Sequence, residues 1–73
     1  MTKIFGAAWC GNCSTAKKAL DTIGFVYEYV DIDTDMDQAQ ANNIRSLPTM
    51  ITEAGDRLIG SAKIIEFVNS QSN

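Results

Sequence analysis

Trp9-Cys10-Gly11-Asn12-Cys13 joins a short apolar run, Thr2-Lys3-Ile4-Phe5, to a segment with the spacing of a helix. Gly6 interrupts the run, so a strand of about five residues is expected to end there, with Ala7-Ala8 leading into the cysteine pair. From Cys10 or Gly11 onward, Cys13, Ala16, Leu20 and Ile23 fall at i, i+3, i+7 and i+10, one stripe of a helix. Lys17, Lys18 and Asp21 take the other side, and Gly24 stands where a C-terminal glycine stops such a helix. Phe25-Val26-Tyr27-Glu28-Tyr29-Val30 is dense in β-branched and aromatic residues and reads as a second strand. Strand, helix and strand within this length make a βαβ unit, whose strands run parallel with a right-handed crossover.

The rest of the chain extends that unit. Residues 33–43 are polar and rich in Ala and Gln, predicting a short helix with Asp33 or Thr34 near its cap. Thr49-Met50-Ile51-Thr52 and Arg57-Leu58-Ile59 read as strands of a hairpin around Glu53-Ala54-Gly55-Asp56. Ser61, after Gly60, reads as the N-cap of a last helix with Ile64, Ile65, Phe67 and Val68 toward the core, and residues 69–73 are expected to fray. The predicted fold is α/β, β-α-β-α-β-β-α, with a four-stranded mixed sheet in a single domain over residues 1–73.

Composition narrows the function classes. The chain has 73 residues, a net charge of −3, and no basic cluster larger than Lys17-Lys18, which argues against nucleic-acid binding. No apolar run approaches a membrane span and residues 1–20 do not read as a signal peptide, so a cytoplasmic, reducing setting is expected. Histidine is absent, which removes Ser-His and Cys-His catalysis and every His-containing metal site. Asp31, Asp33, Asp35 and Asp37 alternate as in a calcium loop, but Met36 replaces the required glycine and Asn42 the last ligand.

Two cysteines this close staple nothing distant, because their ring closes almost no chain. In a reducing compartment such a pair is either catalytic or half of a metal site. Two thiolates without histidine do not close a four-ligand site, so metal binding would need carboxylates, a bound thiol or a second chain. The expected metal content is none. The helix mouth separates the two sulfurs chemically: unpaired N–H groups and the dipole favour an anion at Cys10, while Cys13 sits one turn inside on the apolar stripe. Cys10 is thereby the expected nucleophile toward a partner disulfide, and Cys13 the thiol that resolves the mixed disulfide.

The motif Trp9-Cys10-Gly11-Asn12-Cys13, after a strand and opening a helix, resembles the WCGPC motif of thioredoxin. Asn43-Ile44-Arg45-Ser46-Leu47-Pro48-Thr49 resembles the thioredoxin IRGIPT stretch, and Gly60 stands at a matching glycine position. The length, and the passage Tyr29-Val30-Asp31-Ile32-Asp33, are more similar to glutaredoxin. The resemblance covers nearly the whole chain and implies a thioredoxin-fold thiol–disulfide oxidoreductase of minimal, glutaredoxin-like size. It implies a cis bond at Pro48, beside the active-site pair, and pairing of the Leu47 backbone with a bound substrate strand. It places Trp9, Gly11, Asn12, Gly60 and Ser61 with Leu47 and Pro48 on the substrate-binding surface. Implied partners are disulfide-containing proteins and a reductant, either thioredoxin reductase or glutathione as co-substrate. The expected state is a monomer whose redox centre is a Cys10–Cys13 disulfide, without a bound cofactor.

Several positions depart from both relatives. Thioredoxin carries a buried aspartate in its first strand that assists the resolving thiol; here that position is Ile4. Asn12 replaces the motif proline. Glutaredoxins commonly place Lys or Arg three residues before the first cysteine and a Gly-Gly and Asp at the last helix; here these are Ala7 and Gly60-Ser61-Ala62-Lys63. Ser46 replaces the threonine two before the proline. These departures fit a glutaredoxin-like electron donor reduced by thioredoxin reductase and serving ribonucleotide reductase. A glutathione-dependent glutaredoxin, a carrier of an iron–sulfur cluster bridged between two chains, and a binding adaptor without turnover stay open as alternatives. Lys17 reads as a solvated helix residue near the pair, and Arg45 as an exposed loop charge.

Overall fold

The computed structural model describes residues 1–71. Its elements are β1 (Lys3–Gly6), α1 (Gly11–Ile23), β2 (Glu28–Asp31), α2 (Met36–Ala41), β3 (Thr49–Ile51), β4 (Arg57–Ile59) and α3 (Ser61–Gln71). The sheet order is β2-β1-β3-β4, with β1 and β2 parallel across α1 and the other pairs antiparallel. This is the expected order and the expected mixed sheet, the thioredoxin-like fold.

Alternation along β1 divides the core between two faces. Ile4, opposite Met50, joins Ala16 and Leu20 of α1 and Ile64 and Val68 of α3 in a fully buried cluster. Lys3 points to the opposite face, where its Nζ donates to Gln38 Oε1 of α2 (2.8 Å). Phe5 and Val30, also buried, share that second face with Ala39. The sheet is thus covered by α1 and α3 on one side and by the short α2 on the other.

The elements differ from expectation in their ends. Gly6 does not break β1 but closes it, paired with Asp31, and its carbonyl accepts from the Ile32 N–H (3.0 Å). Glycine serves there because the Tyr29 ring lies against it: a Cβ would sit 2.5 Å from the Tyr29 hydroxyl. β2 begins at Glu28, three residues later than predicted, because the β1 edge offers its first acceptor at the Thr2 carbonyl (2.8 Å). Phe25 instead bonds back to Leu20 in the C-terminal cap of α1, and Val26 is exposed. Ile23, the last residue of α1 before the Gly24 cap, is 43% exposed rather than buried. The N-cap of α2 is Asp35, not Asp33 or Thr34, because residues 31–35 form a turn on the Asp31 carbonyl and carboxylate. Gly60, at φ 96, caps α3: its carbonyl accepts from Ile64, so Ser61 is the first helical residue and not the cap. That helix continues through Gln71, beyond the residue where fraying was expected to begin, and the last two residues of that expectation lie outside the described residues.

Candidate active site

The sequence between β1 and α1 folds into a tight turn, closed by the Cys10 N–H donating to the Ala7 carbonyl (3.1 Å). Cys10 then takes the N-cap position of α1 in extended conformation, with φ −92 and ψ 112. Its sulfur does what a serine or aspartate does at a cap: Sγ accepts from the Cys13 N–H at 3.2 Å. Polar satisfaction of the helix mouth and placement of a reactive sulfur are thus one contact. Cys10 is half-buried and Cys13 has no solvent-exposed surface.

The two sulfurs therefore meet different surroundings. Burial, reinforced by the hydrogen bond to Cys10, pushes the Cys13 thiol up to about 11, and a bond from the Ala7 backbone works against this. Cys13 is held as a thiol at neutral pH. Both cysteines are free, so the site is the dithiol form.

Around Cys10 an open cleft of about 320 Å³ is lined by Trp9, Ile32, Ala39, Ile44, Arg45 and Leu47. Its volume is at the low end for a small-molecule pocket and suits an extended segment lying across it. Trp9 is 69% exposed yet oriented, its indole N–H donating to Asp33 Oδ2 at 2.9 Å. The Leu47–Pro48 bond is cis, as the resemblance implied. The loop carrying it is fixed by Thr49 Oγ1 donating to the Ser46 carbonyl (2.6 Å) and by Gly60 N–H donating to the Pro48 carbonyl (2.9 Å).

Of the anticipated surface residues, the structure brings Trp9, Cys10 and Leu47 to one cleft, with Pro48 buried next to Leu47. Gly11 and Asn12 are exposed in the first turn of α1. Gly60 is tied to Pro48, but neither Gly60 nor Ser61 lines the cleft. Sequence reading missed Ile32, Ala39 and Ile44 as cleft walls and Asp33 as the partner of Trp9. The mixed polar run over 31–45 carried no periodic signal for them. Arg45, read as a loop charge, is among the described residues the one cation lining the cleft with Cys10. Among the described residues no group of three or more His, Cys, Asp or Glu side chains could hold a metal ion, and no helix is long and apolar enough to cross a membrane.

Comparison with known proteins agrees with this geometry. The sequence profile of the glutaredoxin family matches residues 2–50. No curated protein matches the chain. Among solved structures, a thioredoxin from Malassezia sympodialis is 25% identical, with a TM-score of 0.77 over 99% of this chain and 74% of its own. The glutaredoxin-like NrdH-redoxin of Escherichia coli is 24% identical, with a TM-score of 0.79 over 94% of this chain and 91% of its own. A buckwheat glutaredoxin, solved with glutathione, is 22% identical, with a TM-score of 0.69 over 97% and 70%.

Proposed function

The chain belongs to the glutaredoxin family, and we propose that within this thiol–disulfide redox family it reduces protein disulfides by dithiol exchange, taking its electrons from thioredoxin reductase. The observation that carries the reading is the asymmetry of the pair: Cys10 is accessible at the N-cap with Sγ on a backbone N–H, and Cys13 is buried as a thiol.

The exchange then runs in two displacements. Cys10 sulfur attacks a partner disulfide in the cleft, forming one S–S bond and releasing one partner thiolate. Cys13 loses its proton and attacks Cys10 sulfur, forming the Cys10–Cys13 disulfide and releasing the second partner thiolate. The partner gains two electrons and the protein loses two. The cis-proline loop supports docking, because Leu47 beside Cys10 belongs to neither strand nor helix and lines the cleft.

Thioredoxin reductase is preferred as the donor because the charged ends of glutathione lack partners here. Ala7, buried at 2% exposure, stands where a cation would be needed, and Lys63 stands where the last helix would offer a carboxylate. The Escherichia coli neighbour, described by its thioredoxin-like activity profile, accords with this choice. Arg45 favours a second reading, in which it holds a carboxylate of glutathione beside Cys10.

NADPH oxidation with a protein disulfide substrate tests the donor, in parallel with thioredoxin reductase alone and with glutathione plus glutathione reductase. Turnover with thioredoxin reductase is expected. Turnover with glutathione alone would overturn the donor assignment and favour the second reading.

A further inference from the structure

The chain's two arginines, Arg45 and Arg57, come from separate segments and meet on one face of the sheet. Paired residues of neighbouring strands share a face, so Phe5, Thr49 and Ile59 project together. Arg57, two residues from Ile59 on β4, projects with them. This is the side covered by α2, which ends at Ala41. Beyond it, the loop carrying Asn43 and Arg45 borders a cleft of about 490 Å³ that Ser46, Thr49, Arg57 and Ile59 complete.

Arg57 is held in place by donating to the Asn42 carbonyl at the C-cap of α2, and the Asn42 amide donates to the Gln38 carbonyl (2.8 Å). That contact occupies one of five guanidinium donors. Among the described residues no acidic side chain lines the cleft and neither arginine has a carboxylate partner; the one ion pair joins the Met1 amino group to Glu53. A chain of net charge −3 thus keeps a cationic, donor-rich cleft. Arg45 also lines the Cys10 cleft, whereas Arg57 does not, so the two clefts adjoin at Arg45 and Arg57 meets what extends past the reacting sulfur.

We propose, resting on the dithiol reading above, that the Arg45–Arg57 cleft binds an acidic segment flanking the reactive disulfide of the partner protein. Both guanidiniums are exposed, so a free anion is held weakly there. A segment already engaged at Cys10 presents its neighbouring carboxylate at high effective concentration, and the same contacts then count. Ile59, 54% exposed, offers an apolar wall to the methylenes of a glutamate. The cleft selects partners by charge, against the repulsion of the chain's own net negative charge.

The test uses protein reduced beforehand and freed of reductant, so that the choice of electron donor does not enter. It is mixed with either of two disulfide-cyclised peptides that differ only in whether Glu or Gln flanks the disulfide, and peptide reduction is followed by mass after acid quench. At about 20 mM ionic strength the Glu peptide should react about fivefold faster, about twofold from each guanidinium, and the ratio should fall toward one at about 0.5 M sodium chloride. Arg57→Gln should lower the low-salt ratio to about two, Arg57→Lys should retain most of it, and Arg57→Glu should bring it to one or below. Should Arg57→Gln fail to fold, the salt dependence of the wild-type ratio decides. Equal rates for the two peptides, a ratio indifferent to salt, or equal slowing of both peptides by Arg57→Gln overturns the site. Inorganic phosphate that abolishes the ratio where chloride of matched ionic strength does not makes this a free-anion site and overturns the peptide assignment. Reduction of neither peptide overturns the dithiol reading, and the docking site with it.

Discussion

Cys10 and Cys13 are the same residue type in adjacent turns of chain, and their difference comes wholly from position. One sulfur caps a helix and meets solvent; the other lies on the apolar stripe with Ala16 and Leu20. That contrast was legible in the sequence, because a 3.6-residue period fixes which side of the helix each sulfur takes. Asp33, which orients the Trp9 indole beside Cys10, was not, since it comes from the turn after β2, far from Trp9 in the chain. The raised Cys13 has a consequence for stability. A thiol ordinarily near 9 that is held to about 11 in the folded state keeps its proton where the unfolded chain has lost it. Stability from this group is therefore complete below about pH 9 and falls between about pH 9 and 11, by on the order of 2 kcal/mol. The two tyrosines, both raised by burial, add to the loss above about pH 10. Urea midpoints recorded across this window should fall with pH, and Cys13→Ser should flatten the part below about pH 10.

The ends of strands and helices were harder to read than their existence. Phe25-Val26-Tyr27 has strand composition, yet it forms no strand, because the parallel neighbour starts only at Lys3 and leaves it unpaired. Propensity names residues that suit a pleated surface; a partner edge decides whether there is one. Ser61 has the composition of a cap, but the Gly60 backbone at φ 96 takes that role. Gly24 was legible, since a glycine at the end of an amphipathic run has one usual reason. It stands at φ 73 with its N–H on the carbonyls of Asp21 and Leu20, and Phe25 completes the cap. Open space surrounds the position of a Cβ there, so substitution is penalised by backbone conformation and not by crowding. Gly24→Ala should cost about 1 kcal/mol and lower Tm by about 4–8 °C in thermal unfolding, while leaving disulfide reduction intact.

A 73-residue chain with one six-residue buried cluster has little stability to spare, and its sheet connects the active turn directly to the core. β1 is central: it pairs with both β2 and β3 and delivers the chain to Cys10, while β3 follows the cis-proline loop on the other side of the cleft. The topology followed from the order of segments, because a βαβ unit and a hairpin have few ways to share a sheet. The composition of the cleft did not, as its walls come from the turn after β2, from α2 and from the loop before β3. The central claim is the division of labour between the two sulfurs. Its direct test is intact-mass measurement of Cys13→Ser after incubation with a protein disulfide substrate. A covalent complex through Cys10 that persists, and that Cys10→Ser prevents, is the predicted result. Release of fully reduced substrate by Cys13→Ser at the wild-type rate, with no complex, would contradict it.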